Sequence, residues 1–128
     1  MEKTIKPNKQ RRRMYNANYQ NKRRNLVSPV DKKVATIIGK NRIVVRKGDT
    51  VKIMVGNNKG KTGKVERVNY TKERVFIKDI KVKNARGQEK LIPFVASNLI
   101  ITDAVMTDSQ RITKKKIIKK TPINKKVE

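Results

Sequence analysis

Hydrophobic and polar residues alternate over residues 43–102, as expected for strands with one buried face. The alternation is clearest in the segments "TVKIMV" and "RVFIKDIKV". Val51, Ile53 and Val55 are predicted to share one face of the first segment, and Val75, Ile77 and Asp79 one face of the second. This period predicts that the middle of the chain is built from strands rather than helices.

The segment "KVERVNY" interrupts the alternation, because Val65 and Val68 cannot share one face of a regular strand. A bulge near Glu66–Arg67 is therefore predicted. "EKLIPF" and "NLIIT" supply two further short strands, and turn signals separate the strands at 47–49, 56–63, 69–72 and 84–87. About five short strands, roughly ten residues apart, predict a mostly β fold with a small barrel.

The segment "SPVDKKVATIIG" has helical periodicity instead. The predicted roles are N-cap for Ser28, first helical position for Pro29 and C-terminal stop for Gly39. One apolar face would carry Val30, Val34, Ile37 and Ile38. A short amphipathic helix is predicted at about 29–38.

Composition adds two basic arms to this picture. Hydrophobic and charged residues each make up 35% of the 128 residues, and the formal net charge is +25. Residues 1–24 hold nine basic residues and residues 111–128 hold eight, each with one acid. The small apolar share predicts a small core with polar extensions. So large a positive charge predicts a polyanionic partner, nucleic acid in preference to an anionic membrane surface.

Several functions are disfavoured by what the sequence lacks. The chain has no Cys and no His, which removes disulfides, thiolate nucleophiles and the commonest general base and metal ligand. No catalytic constellation, cofactor or metal site is predicted. The N-terminus lacks an apolar signal region and no window is long enough to span a membrane, so an intracellular protein is expected.

The stretch "VKIMVGNNKGKTGK" is similar to a nucleotide-binding Walker loop but departs from it. Such a loop needs four residues between its first Gly and Gly-Lys-Thr, and only three follow Gly56. The next segment favours a strand, whereas a Walker loop opens a helix whose amides hold phosphates. Nucleotide triphosphate hydrolysis is therefore disfavoured.

The same region resembles the KOW motif, which occurs in ribosomal proteins and in some transcription elongation factors. The matching pattern is Gly48-Asp49-x-Val51-x-Ile53-x-x-Gly56-x-x-Lys59-Gly60-x-x-Gly63-x-Val65. Its glycines permit the positive φ that a tight loop between two strands demands. The resemblance implies an SH3-like barrel.

The flanking segments resemble the archaeal and eukaryotic branch of the large-subunit ribosomal protein L-twenty-four family over about residues 6–115. The matching segments are Arg11–Arg13, Arg23–Arg24, Ser28–Pro29, Val45–Asp49 and Ser97–Leu99. Val95–Ala96 depart from the family, which often has His or Pro just before the Ser. The short tail after Arg111 indicates an archaeal-type member.

The resemblance implies a cytoplasmic structural constituent of the large ribosomal subunit. It implies binding to the 5′ region of large-subunit rRNA early in assembly, near the peptide exit tunnel. The implied partners are that rRNA, neighbouring ribosomal proteins and exit-tunnel-binding factors, with no membrane insertion and no small-molecule substrate. The alternatives are a KOW-domain transcription elongation factor and a nonspecific basic nucleic-acid chaperone.

Basic, amide and tyrosine side chains are the candidate RNA contacts. Arginine forks grip phosphates, tyrosines stack on unpaired bases, and glycines let RNA approach a backbone whose amides are expected to be free to donate. The predicted residues are Lys9, Arg11, Arg12, Arg13, Tyr15, Asn16, Tyr19, Lys22, Arg23, Arg24, Arg46, Lys47, Asn57, Asn58, Lys59, Gly60, Lys61, Gly63, Lys64, Ser97, Asn98, Lys114, Lys115 and Lys116.

The expected domain organisation follows the same division. Residues 1–28 form an extended basic RNA-binding arm, 29–40 a short helix, 41–103 the KOW barrel and 104–128 a basic tail. The arms are expected to be disordered without RNA. Tyr70, Phe76 and Phe94 are predicted to be core residues, and Asp49 is predicted to cap the turn before its strand.

Overall fold

The computed structural model of the protein describes residues 4–111. Within that range the helices are α1 (Pro7–Tyr15), α2 (Tyr19–Asn25) and α3 (Lys32–Ile38). The strands are β1 (Val27–Pro29), β2 (Arg42–Val44), β3 (Thr50–Ile53), β4 (Thr62–Asn69), β5 (Arg74–Lys83), β6 (Glu89–Phe94) and β7 (Leu99–Asp103). Single 3-10 turns lie at Ala96–Asn98 and Ser109–Arg111. The predicted contacts of Lys114, Lys115 and Lys116 lie outside the described residues.

The strands form two antiparallel sheets. β1 pairs with β2, and the larger sheet has five strands in the order β6-β5-β4-β3-β7. Among the described residues β6 and β7 do not pair, so the larger sheet stays unclosed. A mostly β fold with a short helix is confirmed, and the sheet is consistent with a small SH3-like fold.

Two irregularities bend the long strands. The pairing of β4 with β5 shifts register between Val65 and Arg67, which confirms the predicted bulge. A second shift, in the pairing of β5 with β6, was not predicted, and within it Asp79 has a φ of 70°. Asp79 was predicted to share a face with Val75 and Ile77, but those two are buried whereas Asp79 is exposed, and Ile80 is buried instead. The irregularity reverses the alternation beyond Ile77.

The core lies on one face of the larger sheet. Its fully buried side chains include Val51, Ile53, Ile77 and Ile101. Val55 was predicted to share a face with Val51 and Ile53, but it is 59% exposed whereas they are buried. The reason is that β3 ends at Ile53, so the alternation of β3 does not continue to Val55.

The helix α3 begins three residues later than predicted. Its N-cap is Asp31, whose Oδ1 accepts a hydrogen bond from the Lys32 amide at 2.7 Å. Ser28 and Pro29, predicted to open the helix, lie in β1, and the Ser28 hydroxyl donates to the Ala96 carbonyl. Strand pairing and burial of Ser28 therefore outweigh a local helix cap.

The C-terminal end of α3 agrees with the prediction, since Gly39 ends the helix with a φ of 81°. The predicted apolar face is only partly correct. Val34 and Ile38 are buried, whereas Ile37 points into solvent. A seven-residue helix on the edge of a small core thus buries a narrow stripe of its surface.

The N-terminal arm contains two helices that the sequence pattern did not indicate. Neither α1 nor α2 has a buried residue. The first buried residue of the described chain is Leu26, which immediately follows α2. Residues 7–25 are called the N-terminal segment below.

Candidate nucleic-acid interface

The loop between β3 and β4 is held by its own backbone. Gly56 and Gly60 have φ values of 96° and 86°, as the tight loop requires. The Gly60 amide donates to the Ile53 carbonyl at 2.8 Å, and the Lys61 amide donates to the Asn58 carbonyl at 3.2 Å. These amides were expected to be available to RNA, but the loop itself uses them. Side chains, not these amides, are what the loop presents.

The side chains of this loop are basic and polar, and a second predicted element lies beside them. Lys61 Nζ donates to Asn58 Oδ1 at 2.9 Å. The Met54 amide, at the end of β3, donates to the Asn98 carbonyl at 2.9 Å and so joins the loop to the Ser97–Asn98 turn. We call this group the KOW-loop surface; its members are Asn57, Asn58, Lys59, Lys61, Lys64, Ser97 and Asn98.

Gly63 was predicted as an RNA contact, but packing explains why it is glycine. A Cβ at this position would lie 2.4 Å from Ile77 Cγ2 and 3.2 Å from the Lys78 carbonyl oxygen. β4 crosses β5 too closely here for any side chain. The close packing of β4 against β5 therefore requires glycine at position 63.

The helices α1 and α2 enclose a groove of about 1120 Å³. Among the described residues, no acidic side chain lines it; its basic and amide lining is Lys9, Gln10, Arg12, Arg13, Asn16, Asn18, Asn21, Arg24 and Asn25. Beside it, Tyr15 is 83% exposed, with Lys22 Nζ 6.0 Å from its ring centroid. This N-terminal groove combines positive charge, amide groups and an exposed aromatic ring, as single-stranded or looped RNA requires.

Contacts at α2 fix the N-terminal segment to the sheet. The rings of Tyr19 and Tyr70 have centroids 5.2 Å apart, and Asn25 Nδ2 donates to Glu73 Oε1 at 3.0 Å. Tyr19, predicted to stack on RNA, therefore already contacts a protein ring.

Tyr70 and Glu73 belong to the β4–β5 turn, at the other end of β4 from the KOW loop. An eight-residue strand spans about 25 Å, so the predicted contacts divide into two separate surfaces.

Asp49 caps its turn as predicted, since its Oδ2 accepts a hydrogen bond from the Arg46 amide at 2.9 Å. The sequence did not reveal its main partner, the guanidinium of Arg111, which binds both carboxylate oxygens. Arg111 also donates to the carbonyls of Val44 and Val105, each at 2.9 Å. Both members of this ion pair are buried. Arg111 was predicted to be one of the basic residues of the C-terminal tail. In the structure it holds residues 104–111 against the turn before β3.

A second, smaller cleft of about 260 Å³ lies between α2, β2 and Arg111. Its basic lining includes Arg23 and Arg46, which were predicted contacts, and Lys40 and Arg42, which were missed. Lys40 and Arg42 lie within the segment "GKNR" after α3, where two cations occur within three residues. Lys47, also predicted, is exposed on the turn before β3.

Arg46 has an acidic partner beside this cleft. Its Nη1 lies 2.7 Å from Asp108 Oδ2, and both side chains are half-buried. The hydrogen bond from Arg46, followed by one from the Gln110 amide, lowers the pKa of Asp108 below its ordinary value. The Arg46 charge is thus partly neutralised within the protein.

The aromatic residues of the sheet belong mainly to the protein interior. Tyr70 and Phe94 are partly buried against the core, as predicted. Phe76 was also predicted to be core, but it is only half-buried and does not pack against the core cluster; the Arg67 guanidinium lies 4.7 Å from its ring centroid. Within residues 4–111, no group of three or more His, Cys, Asp or Glu side chains could hold a metal ion. No helix in that range is long and apolar enough to cross a membrane.

The motif, the antiparallel sheet and the basic surfaces define a KOW protein of the SH3-like class, and residues 47–78 match the KOW motif model. Over 108 residues the chain is 38% identical to large ribosomal subunit protein uL24 of Saccharolobus solfataricus, covering 84% of this chain and 91% of that protein. It is 34% identical over 109 residues to the Korarchaeum cryptofilum protein of the same name, covering 85% and 83%.

The chain therefore belongs to the uL24 family of ribosomal proteins, the L-twenty-four family of the sequence analysis, and is of archaeal type. Membership of a family of ribosomal structural proteins also supports the prediction that the chain is not an enzyme.

Proposed function

We propose that the protein is a structural constituent of the cytoplasmic large ribosomal subunit and binds the 5′ region of its rRNA. It would bind early in assembly and lie near the peptide exit tunnel, with neighbouring ribosomal proteins and exit-tunnel-binding factors as further partners. The names of both relatives support the subunit. The observation that carries RNA binding is the N-terminal segment, a basic pair of helices without a buried side chain.

Helices this short need a partner surface. α1 has nine residues and α2 has seven, whereas isolated helices shorter than about 12–15 residues are marginal in water. Helices in proteins obtain most of their stability from a packed face, and within the described chain neither helix buries a residue, although α2 contacts Tyr70 and Glu73. Phosphates would supply the missing partner, because Arg11, Arg12 and Arg13 are all exposed along α1.

Two basic surfaces lie at opposite ends of β4. This arrangement favours binding to a structured RNA over binding to a short single-stranded RNA. The KOW-loop surface and the N-terminal groove can contact separate RNA elements about 25 Å apart. Each would contribute phosphate neutralisation, and together they would fix one orientation of the protein. The division into an arm (1–28), helix (29–40), barrel (41–103) and tail (104–128) belongs to this proposal.

The decisive test is a binding titration at several salt concentrations, with the 5′ domain of large-subunit rRNA and a structured RNA of equal length as probes. We expect the 5′ domain to bind about a thousandfold tighter, on the order of 4 kcal/mol, and to keep that margin as salt rises. Equal binding and equal salt dependence would contradict the proposal and indicate a nonspecific basic chaperone.

The N-terminal segment can be tested separately with the triple variant Arg11→Ala, Arg12→Ala, Arg13→Ala. We expect weaker binding to the 5′ domain and a salt slope lower by about two, since each lost phosphate contact removes about 0.7–0.9. The matched control is Lys83→Ala, Arg86→Ala, Lys90→Ala on the β5–β6 hairpin, which removes the same charge. An unchanged slope in the first variant would show that α1 does not grip phosphate.

A further inference from the structure

The small cleft between α2, β2 and Arg111 gathers cations from separate parts of the chain. Arg23 comes from α2, Lys40 from the turn after α3, and Arg42 from β2. Arg46 and Arg111 complete its basic lining. Bringing five positive side chains together is electrostatically unfavourable unless negative charge compensates for them.

Within residues 4–111, carboxylates pair with only two of these five cations. Asp49 pairs with Arg111, and Asp108 pairs with Arg46. Within residues 4–111, Arg23, Lys40 and Arg42 form no ion pair with a carboxylate. The cleft therefore keeps three uncompensated cations beside two that are already neutralised.

Arg111 supplies a second, independent observation. Only 5% of this residue is exposed, and both of its Nη atoms are used by Asp49 and the carbonyls of Val44 and Val105. Its Nε is also buried, and among the described residues this nitrogen has no hydrogen-bond partner. A buried N–H without an acceptor is uncommon in native proteins, so an acceptor beyond the described residues is needed to satisfy this one. Here that N–H belongs to a residue that lines the cationic cleft.

We propose that this cleft binds a phosphodiester group of an RNA strand, with Lys40 and Arg42 as its principal side-chain contacts. The inference rests on the proposed rRNA binding and adds a third contact region to it. A phosphate offers several acceptor oxygens, which suits a guanidinium fork, an ammonium group and a single N–H together. An RNA strand is favoured over a free anion because the cleft and the N-terminal groove both take lining residues from α2, Arg23 and Arg24 respectively. The two sites therefore lie on neighbouring faces of one helix, and a strand that bends around α2 would contact both.

The first test compares Lys40→Gln, Arg42→Gln with Lys83→Gln, Lys90→Gln on the β5–β6 hairpin. All four residues are exposed, and each double variant removes two positive charges. Against the 5′ domain of large-subunit rRNA, we expect the cleft variant to bind about tenfold more weakly, with a salt slope lower by about 1–2. The hairpin variant should lose no more than about threefold. Equal losses in the two variants would overturn the proposal, because they would show only a general charge effect.

The second test follows the Arg111 Nε–Hε signal by nuclear magnetic resonance. We expect it to shift when one equivalent of a 5′-domain RNA fragment is added to the natural protein, and to shift much less in the cleft variant. Inorganic phosphate at the same concentration should leave it unchanged. A full shift with inorganic phosphate, together with unimpaired RNA binding by the cleft variant, would identify a free-anion site and overturn the RNA assignment.

The two proposals fail in distinguishable ways. If the natural protein does not prefer the 5′ domain over a control RNA, the proposed function fails whatever the cleft variant does. If that preference is present but the cleft variant keeps the affinity and salt slope of the natural protein, only the cleft assignment fails.

Discussion

The sheet and the N-terminal segment obtain their structure from different sources. In the sheet, Val51, Ile53 and Ile77 are completely buried, so folding is driven by the removal of apolar surface from water. In the N-terminal segment no residue is buried, and four of the nine residues of α1 and three of the seven of α2 are basic. One part of the chain is thus specified by its own core, whereas the other adds nothing to that core, and in our proposal RNA supplies its partner surface.

The junction between the two regions is narrow. Leu26 is buried directly after α2, and its carbonyl accepts a hydrogen bond from the Val45 amide at 2.9 Å. Before it, the Tyr19–Tyr70 and Asn25–Glu73 contacts join α2 to the sheet. Substitutions in the sheet should therefore change global stability, whereas substitutions before Leu26 should change local order and RNA binding.

The largest effect is expected from Arg111→Ala. Removing the guanidinium leaves the Asp49 carboxylate buried without its charge partner, which should lower the free energy of unfolding by about 3–5 kcal/mol. Urea denaturation measures this loss. The control is Arg46→Ala, which breaks a half-exposed pair and should cost far less. A loss as small as that of the control would show that the buried pair does not hold residues 104–111 to the sheet.

Gly63→Ala should have the next largest effect. The new methyl group would overlap Ile77 Cγ2, so we expect a loss of about 1–3 kcal/mol from overpacking. Thr62→Ala, at the exposed neighbouring position, is the matched control and should stay within about 0.5 kcal/mol of the natural protein. Equal unfolding midpoints for both variants would refute the packing explanation for this glycine.

Tyr19→Ala tests the junction itself. Losing the contact with Tyr70 should weaken the attachment of α2 by about 0.5–1.5 kcal/mol while global unfolding changes little. Faster hydrogen exchange of the α2 amides would report it. Tyr15→Ala is the matched control, because its ring is exposed on α1. If both variants exchange alike, the ring contact does not attach the segment.

The smallest effect is expected from the pH dependence of the Arg46–Asp108 pair. The pKa of Asp108 is lowered in the folded protein, chiefly by the hydrogen bond from Arg46. The pair therefore stabilises the fold fully above the ordinary aspartate pKa of about 3.9, and this contribution is lost as pH falls through the lowered folded value. Unfolding midpoints of the natural protein and Asp108→Asn should differ near pH 6 and converge in acid. A difference independent of pH would contradict this origin.

The alternation of apolar and polar residues predicted much of the sheet, because alternate residues of a half-buried strand face the core. Val51 and Ile53 were correctly placed on one face, as were Val75 and Ile77, and the irregular spacing of Val65 and Val68 revealed a real bulge. The prediction was wrong for Val55 and Asp79. In both cases the alternation was extended past a point where the strand ends or changes register, and the pattern alone does not mark such a point.

The sequence predicted many of the basic residues of the candidate interface, but it did not predict which of them lie side by side in the fold. Basic residues near the termini and in the KOW loop were evident, whereas Lys40 and Arg42 were not predicted, because Lys40 lies in a short turn and Arg42 opens the three-residue strand β2. Folding brings them beside Arg23, some twenty residues earlier, and beside Arg111, some seventy residues later. No pattern within a short window of sequence contains that proximity.

The sequence by itself determined the β period, the KOW loop with its glycines, the family and the excess of positive charge. These properties depend on neighbouring residues or on sums over the whole chain, so they can be determined without knowing the fold. Tertiary structure alone decided that Ser28 lies in a strand instead of capping α3, that Arg111 pairs with Asp49, and that the basic residues divide into separate surfaces. These features arise because residues far apart in sequence compete for the same buried partners, and the competition is resolved only when the core forms.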